Sequence, residues 1–265
     1  SGNIFSGQLS DVLSNLSSLQ VLNVSTNGFH GSLPPSSLRN LSLLRNFRAR
    51  NNYLSGDLPL ILCRTAPFLQ EMDVFLNSFS GKISKDIGFC GSLQVLVLGD
   101  NNLVGNLPQD LYNLTSLTIL QLRNNHFDGE VGNAIGNLIN LSYLILDLNN
   151  FTGQLPSNLS SCTNLKIFTA KANKFHGSLD VVRFDQFQML ENLDLNNNAF
   201  VGSIPSSLTE CSALQSINFA SNKLSGEIPS SLTNCSALQS INFESNKLWG
   251  EIPSFLYRLR NLTTL

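Results

Sequence analysis

The chain has 265 residues, with 16 basic against 18 acidic side chains and a formal charge of −2. That near balance offers no basic footprint for nucleic acid, and its apolar runs of a few residues are far too short to span a bilayer. The chain shows no linker, no low-complexity block and no charge run.

In chain order the first regularity is an asparagine that returns every 24 or 25 residues: Asn3, Asn27, Asn52, Asn77, Asn101, Asn125, Asn149, Asn173, Asn198, Asn222 and Asn246. A period of this length marks a stack of repeated units. Before each asparagine the leucines alternate, as in Leu141, Leu144 and Leu146 ahead of Asn149. Alternation of this kind gives a short strand with one buried face. A lone strand cannot bury that face, whereas stacked neighbours can. An asparagine side chain carries donors and an acceptor, so eleven in phase are expected to form an internal ladder that satisfies the turn backbone. After the asparagine comes a second signature with Gly, an aliphatic residue and Pro, as in Leu224-Ser225-Gly226-Glu227-Ile228-Pro229.

Further along, three intervals carry 25 residues: Asn27–Asn52, Asn52–Asn77 and Asn173–Asn198. The extra residue is expected in the return loop. Gly132 and Asp180 stand where the proline is expected. The stretch Ser206–Pro229 is nearly repeated at Ser230–Pro253, as by duplication of one coil. Cys90, Cys162, Cys211 and Cys235 share one phase, that of a small buried side chain on the return. Cys211 and Cys235 lie on adjacent coils, where a bridge is conceivable. Five cysteines, Cys63 included, leave at least one thiol unpaired within the chain. There is no CxxC motif or Cys/His cluster of metal spacing, no phosphate loop and no nucleophile motif. No metal, cofactor or catalytic residue is assigned.

The combined pattern resembles the plant-type extracellular leucine-rich repeat over essentially all 265 residues. The implied fold is a β-rich α/β solenoid of about eleven 24–25-residue coils, curved or superhelical, with short parallel strands on its concave face. Residues 1–265 then form a single solenoid domain. The chain starts and stops inside a repeat without a polar cap, so the reading is a fragment of a longer protein.

Positions two, four and six before each asparagine are expected on the concave face. In the middle coils Phe75, Val95, Val97, Ile119, Tyr143, Ile145 and Ile167 make an apolar patch, with Arg48, Arg50, Arg123 and Lys171 beside it. Two readings stand. The patch docks a peptide, with candidate contacts Arg48, Arg50, Phe75, Val97, Ile119, Arg123, Tyr143, Ile145 and Lys171. Or β-branched residues merely suit strands, and the arginines pair with Glu71, Asp73 or Asp147. Sequons at Asn15, Asn40, Asn113, Asn140, Asn150, Asn158, Asn234 and Asn261 are candidate glycan sites. A ninth, at Asn23, points to the strand face. The sequons suggest a secreted chain or the extracellular face of a plasma-membrane protein.

Stretches such as Leu22-Asn23-Val24-Ser25 and Cys211-Ser212-Ala213-Leu214-Gln215-Ser216-Ile217-Asn218-Phe219 look like those of phytosulfokine-receptor-type kinases. That resemblance implies a receptor ectodomain that reads a small secreted, tyrosine-sulfated peptide and pairs with a co-receptor kinase ectodomain. Its kinase and membrane helix would lie outside these residues. The non-repeat island of that receptor type is missing here. The alternative is a receptor-like protein or inhibitor that grips another protein in defence.

Overall fold

The computed structural model describes residues 1–9, 13 and 15–265, with Thr209, Ser231 and Phe255 described by their backbone alone. The chain divides into two compact units, Ser1–Asp128 and Gly129–Leu265. Each is a stack of coils.

In the first unit the leucine-bearing segments form strands Val21–Asn23, Asn46–Arg48, Glu71–Asp73, Val95–Val97 and Ile119–Gln121. Each pairs in parallel with the next, one coil on. In the second unit Tyr143–Ile145, Ile167–Thr169, Asn192–Asp194, Ser216–Asn218 and Ser240–Asn242 do the same. The alternating leucines behave as their period requires: Leu93, Leu96 and Leu98 are fully buried, as are Leu190, Leu193 and Leu195.

The ladder is present from Asn27 to Asn246, and Asn101 shows how it works. Its Nδ2 donates to the carbonyls of Leu98 and Gly99 in its own coil and of Val74 in the coil before, at 2.9, 3.1 and 3.0 Å. Its Oδ1 accepts the Phe79 N–H of the preceding coil at 2.9 Å. Asn52, Asn77, Asn173, Asn198 and Asn222 repeat the pattern. One step before each of these asparagines the backbone enters the left-handed region, with φ of 51–55° at Thr26, Asn51, Leu76, Asp100, Asn124, Leu148, Ala172, Asn197, Ser221 and Ser245. For a residue with a Cβ that conformation costs roughly 1–2 kcal/mol. The asparagine offsets it by satisfying the carbonyls that the turn exposes. Asn3 departs from the expected eleven-membered ladder. Its side chain is exposed, and among the described residues its Nδ2 donates to Ser1 O, at 3.3 Å.

A second strand, not expected from the sequence, follows the ladder asparagines. In the first unit Gly28–Ser32, Tyr53–Gly56, Ser78–Gly81 and Asn102–Gly105 pair in parallel; in the second, His176–Ser178, Ala199–Gly202, Lys223–Gly226 and Lys247–Leu248 do. The ladder holds this sheet to the first, because Oδ1 of Asn52, Asn77, Asn101, Asn125, Asn173, Asn222 and Asn246 accepts from a second-strand N–H. The glycine four residues after each asparagine, such as Gly56 at φ +81°, turns the chain out of that strand. Behind it Phe151, Phe175 and Phe200 stack with ring centroids 6.1 and 6.2 Å apart and are fully buried.

The return stretch is mostly a short 3-10 helix, such as Gln109–Asn113 or Ser206–Glu210. The 25-residue coils place their extra residue there: two carry α-helical turns, Pro35–Leu38 and Leu62–Thr65, and the third carries two 3-10 turns, Leu179–Val181 and Phe184–Gln186. Gly132 stands in for proline without changing the path, with φ −70° against −69° at Pro108.

The α-helical turn also decides the disulfide. It brings Cys63 against Cys90, with Cα atoms 4.4 Å apart, and the two are bonded. Cys162, Cys211 and Cys235 are free and buried, so the conceivable Cys211–Cys235 bridge does not form. Their Sγ atoms donate to Ile135, Phe184 and Leu208 carbonyls instead. Burial pushes these thiols up to about 12, about 12 and about 11, which keeps them unreactive. Closing the loop between Cys63 and Cys90 stabilises the fold by roughly 3–4 kcal/mol in the chain-entropy picture.

Asn101→Ala should cost about 2–4 kcal/mol, since it leaves several buried backbone groups unpaired. Asn3→Ala should stay within about 0.5 kcal/mol of the parent. Urea denaturation of the two variants checks this, and equal losses would contradict the ladder described above.

Candidate functional site

The outward side chains of the first-sheet strands form a candidate face in each unit. In the first unit Phe75, Val95, Val97 and Ile119 are all half-buried, an apolar strip on a solvated sheet face. In the second, Tyr143, Ile145 and Ile167 are half-buried in the same way.

The charged candidates differ in how firmly they are held. Arg48 lies beside Glu71, with Nε–Oε1 at 2.7 Å and Nη2–Oε2 at 2.5 Å, and Asn46 donates to the same carboxylate at 2.7 Å. Burial opposes ionisation of Glu71, but the Arg48 and Asn46 hydrogen bonds outweigh it and hold the carboxyl below its usual value. Arg48 is therefore occupied by a bidentate pair. Arg50 is held more loosely. It lies 3.8 Å from Asp73, with its guanidinium 5.2 Å from the centroid of the Phe75 ring. Arg123 is 3.6 Å from Asp100, and Lys171 is 4.0 Å from Asp194. At these distances the cations are partly free to turn to a ligand. The pairing of Arg48 and Arg50 is with Glu71 and Asp73, as the strand-preference reading expects, whereas Arg123 and Lys171 use Asp100 and Asp194.

One column proves to have a structural duty that sequence reasoning missed. Four residues before the ladder asparagine, Asn23, Asp73, Asp194, Asn218 and Asn242 each accept, through Oδ1, the N–H two residues on, at 3.0–3.1 Å. That N–H follows the strand and needs a local acceptor. Elsewhere Gln121 Oε1 accepts from Gly99, and Asp147 Oδ1 from Lys171. The excess of Asn and Asp in the column was the available signal. Asp73 and Asp147 are nearly buried, and burial pushes both carboxyls above their usual value. Glu71 is thus engaged by the salt bridge to Arg48 and Asp73 by the turn N–H of Phe75.

Among the glycan candidates Asn15, Asn40, Asn113, Asn140, Asn158, Asn234 and Asn261 are exposed and Asn150 is half-buried. Asn23 is exposed, as part of the strand face. His30, His126 and His176 are exposed. Furrows between the second strands and the return helices occur in each unit, of about 560 Å³ at Ser32–Asp86 and about 510 Å³ at Glu130–Val181. They recur with the repeat, so they single out no site. Among the described residues no helix is long and apolar enough to cross a membrane.

The Leucine Rich Repeat family model matches residues 18–41, 92–114, 116–138, 189–211 and 213–235. Of solved structures, the crystal structure of a TDR receptor superposes with a TM-score of 0.94 at 31% identity, covering 98% of this chain and 44% of that one. The chain has the leucine-rich-repeat fold of plant receptor-kinase ectodomains. The Arabidopsis receptor kinase HAESA, solved with the peptide hormone IDA and the co-receptor SERK1, matches at 29% identity and TM-score 0.78, over 99% of this chain and 51% of that one. In sequence, phytosulfokine receptor 1 of Arabidopsis thaliana is 30% identical over 138 residues, covering 43% of this chain and 14% of that protein. Receptor-like protein 18 of the same plant is 35% identical over 127 residues, covering 47% and 15%. The chain therefore spans about one seventh of these curated relatives and about half of these solved chains.

The position of Asp73 yields a prediction with a definite sign. Its folded pKa lies above its unfolded value, so ionisation costs the fold: stability is greatest below the unfolded pKa and falls as pH rises to the folded one. An asparagine in its place would still accept the Phe75 N–H, as Asn218 and Asn242 do in their coils, but would carry no buried charge. Asp73→Asn should leave the melting temperature at pH 7 unchanged or raised, and any gain should vanish near pH 3. Asp73→Ala should lower it, by about 1–2 kcal/mol of stability. Thermal melts at the two pH values decide.

Proposed function

We propose that this chain is part of the ligand-binding ectodomain of a plant cell-surface receptor kinase. It senses a small secreted peptide, tyrosine-sulfated, and pairs with a co-receptor kinase ectodomain. The observation that carries this is the half-buried apolar strip Phe75, Val95, Val97 and Ile119, flanked by the loosely held Arg50 and Arg123. An extended peptide lays apolar side chains on such a strip and sets an anion against the arginines. Tyr143, Ile145 and Lys171 offer similar chemistry in the second unit. Of the site candidates, Arg48 contributes least, because Glu71 already occupies it.

The relatives support the reading. HAESA is solved with a peptide hormone and a co-receptor, and phytosulfokine receptor 1 is among the sequence matches. An extracellular setting agrees with the Cys63–Cys90 disulfide, since such bonds persist in oxidising compartments. Any kinase and membrane helix belong to residues outside this chain. A second reading, a receptor-like protein that grips another protein in defence, is favoured by the match to receptor-like protein 18 and by the polar strands Asn192–Asp194, Ser216–Asn218 and Ser240–Asn242.

Calorimetric titration with short synthetic tyrosine-sulfated peptides and their unsulfated twins tests the first reading. Arg50→Glu or Arg123→Glu should weaken binding of the sulfated peptide about tenfold or more, the size expected for loss of one charge-assisted contact. Unchanged affinity in both variants removes the first-unit strip from the site. Equal binding of the unsulfated twins removes the sulfate.

A further inference from the structure

The return side of the first unit holds an aromatic ring that no core contact explains. Phe89 ends the 3-10 helix Lys85–Phe89 and is 54% exposed. The Arg64 guanidinium lies 4.0 Å from its ring centroid and is anchored by Asp86 at 2.9 Å. The Cys63–Cys90 disulfide joins the residues next to this pair, Cys63 before Arg64 and Cys90 after Phe89. The ring is thus mounted on a cross-linked base, with a cation from the preceding coil against one face.

The following coil brings a sequon to the same place. Asn113 ends the 3-10 helix Gln109–Asn113, so it holds the position in its coil that Phe89 holds in its own. The two helices touch, for a Cβ on Gly88 would press against Asp110. Strand pairing sets neighbouring coils about 4.8 Å apart. Asn113 is exposed, and Asn113-Leu114-Thr115 is an acceptor triplet. The equivalent sequon at Asn234 has Glu210 ending the helix before it, so it lacks the ring.

We infer that Asn113 carries an N-linked glycan whose innermost N-acetylglucosamine packs on the Phe89 ring, on the side away from Arg64. In the secretory pathway the donor is a lipid-linked oligosaccharide diphosphate. Asn113 Nδ2 forms the bond to the anomeric carbon and gives up one proton, and the lipid diphosphate leaves. The C–H face of the sugar covers apolar ring surface, so the glycan is a structural part of this coil, beyond a surface shield. The inference rests on the extracellular setting proposed above, and does not depend on the ligand.

The test uses the full chain secreted from insect cells. Glycopeptide mass spectrometry should find Asn113 occupied. Asn113→Gln and Thr115→Ala, which remove the sequon in different ways, should each lower the melting temperature by roughly 2–4 °C. Trimming the glycan to its first sugar should not. In a Phe89→Ala background, loss of the sequon should have no further effect. Occupied sequons elsewhere with Asn113 bare, or additive losses in the Asn113→Gln/Phe89→Ala double variant, overturn the inference alone. A secreted chain bare at every sequon overturns it together with the extracellular reading.

Discussion

One interaction underlies the rest of the structure: the asparagine amide inside each turn. The coil must leave its first strand abruptly, and it does so through a left-handed residue that has a Cβ. That step costs energy and strips carbonyls of their partners. The asparagine answers within its own coil through two carbonyls, reaches back to the coil before through a third, and accepts from the second sheet through Oδ1. A single side chain thereby joins turn, neighbour and second sheet. Asn3 shows the converse. Its side chain is exposed and, among the described residues, bonds to Ser1 and not to the turn carbonyls.

With that framework in place, the first-sheet face divides by duty. The Asn and Asp residues four before the ladder asparagine serve the backbone, and even the carboxylates among them are mainly acceptors for a local N–H. Arg48 and Glu71 satisfy each other. What is left with capacity for a ligand is the apolar strip and the cations held at 3.6–4.0 Å. Charge on such a face is therefore weak evidence of recognition until its partners are known. Loosely partnered charge beside half-buried apolar surface is stronger evidence.

The legibility of this protein is uneven for physical reasons. Period, buried leucines, ladder and the position of the extra residues were all readable, because repetition makes each coil a control for the others. The second sheet was not readable. Its strands hold few alternating apolar residues, and they are specified by the asparagine of the next coil rather than by their own pattern. The phase rule also places Cys90 among the small buried thiols, when Cys90 in fact bonds to Cys63. A rule of phase cannot see that an α-helical turn at Leu62–Thr65 moves Cys63.

By itself the sequence determined the coil: its length, its buried face and its turn chemistry. These are local properties, repeated often enough to average out exceptions. Only the tertiary structure decided which charged side chains are already spent, which cysteines meet, and that Phe89 and Asn113 end neighbouring helices at the same position. Those facts depend on contacts between side chains one coil apart, about 24 residues away in the chain, and no local pattern records such distances.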